Sequence, residues 1–158
     1  MDKNSTIYKT YVEILRRELV PAMGCTEPIA VAFCAAQARS VLGKMPDKVV
    51  IQASGNIIKN VKSVIVPHTG GLRGLEAAAA VGILFGNAEN QLEVVSSVTA
   101  EQEIELAYRM GDIDITVMPL ESEHLLDLII TVYNGDKSAA VHIEDEHTNI
   151  VEIIDNGK

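Results

Sequence analysis

The apolar positions in the first half of the chain follow the spacing of helices. Between residues 5 and 20, four apolar side chains share one helical face: Ile7, Tyr11, Ile14 and Leu15. Residues 27–42 are apolar almost all round, which predicts a helix buried on most sides, with Cys34 as a small side chain of the core. A further helix is predicted over residues 75–84, where four successive alanines allow a close approach to a neighbouring helix.

Shorter patterns predict strands and two more helical stretches. Residues 49–51 and 64–66 have the composition of short buried strands, and a polar insert, residues 54–60, lies between them. Helical stretches are predicted around residues 91–95 and 100–110. The middle of the chain therefore combines strands with helices.

The last third of the chain has the two-residue period of half-buried strands. Apolar and polar side chains alternate over residues 113–117 and 126–132, and Asn134-Gly135 is a strong hairpin signal before a returning strand at residues 140–143. A last strand is predicted over residues 150–154. The pattern predicts an α+β fold in which helices pack on a mixed or antiparallel sheet, with the N-terminal part mainly helical and the C-terminal part mainly strands.

The organisation of the chain is that of one domain. Residues 1–158 hold no repeat, low-complexity tract or linker, and 47% hydrophobic content is enough for one sizeable core. Asn156-Gly157 is a turn signal that follows the last predicted strand, which favours an N-terminal fragment or subunit of a larger enzyme; a frayed tail after an edge strand is the alternative.

Charge and cysteine content exclude some classes of function. A net charge of −9 argues against nucleic-acid binding, and no leader or membrane-spanning segment is expected, because residues 1–158 show neither a charged-plus-apolar start nor an apolar run of membrane-spanning length. Two cysteines indicate a reducing compartment, so a cytoplasmic location is expected. Residues 1–88 carry a net charge of +4 and residues 89–158 one of −13, so a small anionic ligand is expected in the first half.

Cys25 is the leading candidate for chemistry in the sequence. It directly precedes a predicted helix start at Thr26, Glu27 and Pro28, where the positive end of the helix favours a thiolate. A thiolate attacks electrophiles and binds metals. A structural cysteine beside an apolar helix is the alternative, and the tight helix entry favours the functional interpretation.

Two polar segments are candidates for ligand binding. The loop of residues 69–74 leads from a predicted strand into a helix, a geometry that offers backbone N–H groups to a carboxylate or phosphate, although its glycines match no nucleotide-binding motif. A plain strand-to-helix turn is an equal alternative. The insert before it concentrates hydrogen-bonding groups and one cation, either for a substrate pocket or as a surface turn: Ser54, Asn56, Lys59 and Asn60.

The histidines and acidic runs give weaker signals. Four histidines show no metal-ligand spacing with one another or with the cysteines: His68, His124, His142 and His147. Residues 101–105 and 144–146 are predicted to be solvated acidic faces. Since only Cys25 stands in a plausible ligand position, this chain by itself is not expected to enclose a zinc or iron–sulfur site.

Five motifs occur in one order along the chain. They are residues 20–30, residues 54–60, residues 67–74 with the alanine-rich helix after them, residues 86–88, and residues 147–151. Together they resemble the N-terminal part of the L-cysteine desulfidase family, which is grouped with the α-chains of iron–sulfur L-serine dehydratases.

The resemblance implies a lyase that converts L-cysteine to pyruvate, ammonia and hydrogen sulfide with an oxygen-sensitive [4Fe–4S] cluster. It places Cys25 at a cluster-ligand position and assigns a second set of residues to substrate binding: Ser54, Asn56, Lys59, Asn60, Thr69 and Gly70. The other cluster cysteines of that family belong to a C-terminal half, so this chain alone is expected to lack the cluster and activity.

Two other functions stay open at this point. An L-serine dehydratase subunit needs the same base and Lewis acid as the cysteine lyase, and the sequence does not separate them. A non-catalytic amino-acid-binding or assembly module is the alternative of another class. The partners implied are a small amino-acid substrate and a C-terminal half or second subunit, and a second copy of the chain is a further candidate.

Overall fold

The structure, a computed structural model, describes residues 26–156. The helix predicted over residues 5–20 and Cys25 lie outside the described residues. The helices are α1 (Thr26–Leu42), α2 (Gly55–Val61), α3 (Gly74–Phe85) and α4 (Ala100–Arg109), with 3₁₀ segments at Ala88–Glu93 and Met110–Asp112. The strands are β1 (Lys48–Ser54), β2 (Asp114–Leu120), β3 (Asp127–Asn134), β4 (Lys137–Glu144) and β5 (Ile150–Asp155).

The five strands form one mixed sheet in the order β2-β1-β3-β4-β5. Strands β1 and β2 are parallel, and every other neighbouring pair is antiparallel. The hairpin between β3 and β4 turns at Gly135, whose φ of 59° lies in the left-handed region that glycine adopts without steric cost. The predicted α+β class with helices on a mixed sheet is confirmed.

Helix α1 lies at the centre of the core, because it packs against β3 and β4 on one side and against α3 on the other. Its residues 30–36 are at most 4% exposed, which confirms the helix predicted to be buried on most sides. Leu128, Ile130 and Val132 of β3 are fully buried in the same core, while the side chains between them lie on the opposite face of the sheet.

Two predicted segments differ from the structure. The prediction of a strand at residues 64–66 is wrong, since the segment forms only an isolated bridge between Ile65 and Arg73. The Val66 N–H donates to the Leu72 carbonyl, and the Val64 carbonyl accepts from the Gly74 N–H. The insert of residues 54–60 contains the last residue of β1 and most of helix α2, because Ile57 and Val61 bury one face of a short helix. No helix between residues 26 and 156 is long and apolar enough to cross a membrane.

Candidate functional site

A pocket of about 420 Å³ opens where the sheet meets the start of α1. Its walls come from four places in the chain: Glu27 in the first turn of α1, Asn56 in α2, the loop of residues 123–126, and Asp145 and His147 in the turn between β4 and β5. The pocket therefore depends on the tertiary fold, since more than 110 residues separate Glu27 from His147.

His147 is the most distinctive side chain in this pocket. Its side chain is 33% exposed, but its Nε2 atom is buried, has no hydrogen-bond partner among the described residues, and lies 3.9 Å from Glu27 Oε1. Burial lowers the pKa of His147, and the negative charges of Glu27 and Glu146 oppose that shift only in part. The ring is therefore held mainly in its neutral form near pH 7.

His124 lies on the other side of the pocket in a different electrostatic environment. Its Nδ1 atom is 2.6 Å from Asp145 Oδ1, and its Nε2 atom is 3.8 Å from Glu144 Oε2. The hydrogen bond with Asp145 raises the pKa of His124, with smaller contributions from the charges of Asp145, Glu144 and Asp127. The pKa values of the two pocket histidines, His124 and His147, are thus shifted in opposite directions.

A third histidine belongs to a group beside the pocket. His142 Nε2 lies 2.6 Å from Asp127 Oδ1 and 3.5 Å from Glu144 Oε2. Asp127, His142 and Glu144 offer ligand atoms that all lie within 4.8 Å of one another, and so do His124, Glu144 and Asp145. These two groups are the metal-ligand arrangements found in the described part of the chain.

Ser54 and Asn56 lie near this end of the sheet, with different roles. The Ser54 hydroxyl is buried, donates to the Leu125 carbonyl at 2.9 Å and accepts from the Asp127 N–H at 3.3 Å. Ser54 therefore joins the end of β1 to the start of β3. Asn56 lines the pocket directly, and among the six residues assigned to substrate binding it is the one the structure places in the pocket wall.

The other residues assigned to substrate binding lie outside the pocket wall. Lys59 is exposed and Asn60 is half-buried, both in the second half of α2. The Thr69 hydroxyl is buried, donates to the Val66 carbonyl at 2.7 Å and accepts from the Leu72 N–H at 3.1 Å. These hydrogen bonds stabilise the turn before α3.

The Gly70 N–H does bind a carboxylate, but one that belongs to the protein. It donates to Glu103 Oε1 of α4 at 3.0 Å, and Gly70 adopts a left-handed φ of 71°. The loop geometry expected from the sequence is therefore present, while the acceptor is internal. A substrate carboxylate at this N–H would have to displace Glu103.

The described residues do not fit an iron–sulfur cluster. Cys34 is fully buried, its thiol donates to the Val141 carbonyl at 3.3 Å, and burial raises its pKa, so it is a core side chain, as predicted. Cys25, which the sequence placed at a cluster-ligand position, lies outside the described residues.

Spacing along the chain did not reveal the groups formed by His124, His142 and their carboxylates. The acidic run at residues 144–146 was predicted to be a solvated face, yet Glu144 and Asp145 both contact histidines. Asp127 was expected only as a polar position of an alternating strand. The usable signal was that His142 and Glu144 share one face of a strand next to the strand that carries Asp127.

Comparison with known proteins finds similar sequences with one shared name. No family model and no solved structure matches the chain. The chain is 47% identical over 158 residues to a UPF0597 protein of Desulfitobacterium hafniense (strain Y51), with 100% of this chain and 37% of that relative covered. It is 48% identical over 153 residues to a UPF0597 protein of Treponema denticola, with 96% of this chain and 35% of the relative covered. A UPF0597 protein of Lachnoclostridium phytofermentans is 44% identical over 151 residues, with 96% of this chain and 36% of that relative covered.

These matches correct the resemblance proposed from the motifs. The similar proteins are named UPF0597 proteins, a name that states neither a reaction nor a ligand, so the assignment to the L-cysteine desulfidase family is wrong. The chain spans 35–37% of the length of these curated relatives. The activity, cofactor and partners of the whole protein, like its cytoplasmic location, remain predictions.

Proposed function

We propose that the pocket beside α1 binds a small molecule carrying an ammonium group, such as an amino acid, and that His147 accepts a proton from it. The observation that supports this proposal is the half-buried imidazole of His147, which lines the cavity while its Nε2 atom faces Glu27. Because burial lowers the pKa of this ring, it is available as a neutral base near pH 7.

Glu27 supplies the second part of the arrangement. A neutral imidazole carries one N–H and one lone pair, so an Nε2–H directed at Glu27 leaves Nδ1 to accept the proton. When the ring becomes positively charged, the nearby Glu27 carboxylate stabilises it. Glu27 Oε1 lies 3.9 Å from His147 Nε2, beyond hydrogen-bond distance, so the carboxylate supports the charged ring through electrostatic attraction.

The charge of the cavity supports an ammonium group on the ligand. The lining contains the two imidazoles of His124 and His147 and three carboxylates, which belong to Glu27, Glu123 and Asp145. Such a set attracts a cationic group more strongly than a plain anion. This differs from the expectation of an anionic ligand at the glycine-rich loop, where Glu103 already accepts the Gly70 N–H.

The reactions expected from the sequence are consistent with this pocket. Cleavage of L-cysteine and dehydration of L-serine both begin with removal of the proton next to the amino group, which requires a base beside a bound amino acid. Non-catalytic binding of the same amino acid is the alternative when no proton is removed. In the three outcomes the bound amino acid is cleaved, is dehydrated or does not react.

The test combines binding with proton exchange. Addition of L-cysteine or L-serine to the ¹⁵N-labelled chain is expected to shift the resonances of Asn56 and His147, and the α-proton of the amino acid is expected to exchange in D₂O. His147→Gln should slow this exchange by roughly 100-fold or more. His68→Gln, which replaces an exposed histidine outside the pocket wall, is the matched control and should behave as wild type.

The results separate the possibilities. Binding at the pocket without α-proton exchange would favour the non-catalytic module and remove the base role from His147. Equal exchange rates for His147→Gln and His68→Gln would also contradict that role. Unchanged resonances at Asn56 and His147 at saturating amino acid would contradict the pocket itself. Release of sulfide from L-cysteine, measured beside release of pyruvate from L-serine, distinguishes the two lyase reactions.

A further inference from the structure

A second group of polar side chains lies on the face of the sheet opposite α1. In the register of β3 and β4, Asp127 pairs directly with Glu144, and His142 lies two residues before Glu144 on the same strand. Their neighbours Leu128 and Ile143 are fully buried in the core, so the three polar side chains share the other face. Two paired, rigid strands therefore hold one imidazole and two carboxylates together.

The ligand atoms of this group lie close together. His142 Nε2 is 3.5 Å from Glu144 Oε2 and 2.6 Å from Asp127 Oδ1. The second oxygen of Asp127 accepts a hydrogen bond from the Ser122 hydroxyl at 2.6 Å, which fixes the plane of the carboxylate and leaves Oδ1 toward His142. Asp127 is only 6% exposed, so this orientation is well sheltered from solvent.

Among the described residues, Asp127 and Glu144 form ion pairs with His124 and His142, and neither carboxylate pairs with a lysine or an arginine. Removing a carboxylate from water is unfavourable unless an opposite charge compensates it. A bound divalent cation would supply that charge, and one imidazole with two carboxylates is a donor set suited to zinc and its neighbours in the first transition series.

We propose that Asp127, His142 and Glu144 bind one divalent transition-metal ion and leave at least one coordination position for water. Ligand atoms at about 2.0–2.1 Å from a tetrahedral ion lie roughly 3.3 Å from one another. The separation between His142 Nε2 and Glu144 Oε2 already matches this value, and the His142–Asp127 pair must open by about 0.7 Å as the metal replaces the proton between them. This site lies beside the pocket and does not depend on the role proposed for His147.

The test is titration of the EDTA-treated chain with Zn²⁺ alone, followed by calorimetry. Cys25→Ser is used as the background, so that the cysteine outside the described residues offers no thiolate. One equivalent of Zn²⁺ is expected to bind, with a shift of the His142 side-chain nitrogens in NMR spectra. His142→Gln and Glu144→Gln should each weaken binding by about 10- to 100-fold. His68→Gln removes an exposed imidazole outside the group and should leave the affinity unchanged.

Three results would overturn the proposal. One is the absence of Zn²⁺ binding in the background protein. Another is equal Zn²⁺ affinity in His142→Gln and His68→Gln. The last is Mg²⁺ binding as tight as Zn²⁺ binding, because a site with a nitrogen ligand should prefer the transition metal. Because Asp127 is buried, Asp127→Asn serves only as a supporting variant, and far-UV circular dichroism verifies that each variant is folded.

Discussion

The close approach of α1 and α3 makes Gly82 the most sensitive small residue in the core. A Cβ atom built on Gly82 would lie 2.1 Å from the Ala32 carbonyl oxygen and 2.8 Å from the Ala32 carbonyl carbon and Cα. These are backbone atoms of α1, so no side chain can rotate to make room. Gly82→Ala can be accommodated only if the two helices move apart, by about 1 Å for ordinary nonbonded contact.

The size of the effect follows from two opposing contributions. Overpacking of a core costs about 1–3 kcal/mol and occasionally more, and contact with backbone atoms favours the upper part of that range. Replacing glycine by alanine within a helix stabilises the folded state by roughly 1 kcal/mol, because alanine has the higher helix propensity. The free energy of unfolding should therefore fall by about 2 kcal/mol, which for a chain of this size lowers the Tm by roughly 4–8 °C.

Urea unfolding followed by circular dichroism at 222 nm measures this change. Gly111→Ala is the matched control, because Gly111 is exposed, has no atom within 4 Å of the built Cβ and does not have a left-handed φ. The control should change stability by less than about 0.5 kcal/mol. If Gly82→Ala is as stable as Gly111→Ala, the α1–α3 contact is not as close as described and the reasoning is refuted.

Three further predictions follow from titration, thiol reactivity and capping. In NMR titrations with EDTA present, His124 should titrate above its ordinary pKa of 6.5 and His147 below it, and the reverse order of the two pKa values would contradict the described environments. The contribution of His124 to stability is complete below pH 6.5 and is lost as the pH rises through its folded-state pKa. Protonation of His147 destabilises the fold increasingly as the pH falls below 6.5. Because burial raises the pKa of Cys34, its thiol should react with a disulfide reagent in a Cys25→Ser background only after unfolding, and rapid reaction of the native protein would contradict its burial. Thr99→Ala, which removes the capping box at the start of α4, should lower the free energy of unfolding by about 1 kcal/mol in urea titrations, and no change would show that the cap is not formed in solution.

Several elements could be predicted because their signals are local. The apolar run of residues 27–42 predicted α1, and Asn134-Gly135 predicted the hairpin that joins β3 to β4. The strand predicted at residues 64–66 failed because three apolar residues without a long partner form only one bridge. Composition over so short a range does not distinguish a strand from an extended turn.

The candidate site could be predicted only in part. Asn56 was selected from its polar segment and does line the pocket, whereas Thr69 uses its hydroxyl within its own turn. The glycine-rich loop was expected either to offer its N–H groups to a ligand carboxylate or phosphate or to be a plain turn, and nothing in the local sequence indicates that Glu103 accepts the Gly70 N–H. The competing acceptor comes from another helix, 33 residues further along the chain.

The sequence by itself determined the periodicities of the helices and strands, the hairpin turn and therefore the α+β class. Only the tertiary structure decided which titratable groups meet. His147 faces Glu27 because the turn after β4 lies beside the start of α1, and Asp127 meets His142 because β3 and β4 pair in one register. Periodicity indicates which face of an element a side chain occupies, but packing and strand register decide which distant side chains share that face, and the chemistry proposed for this protein depends on those contacts.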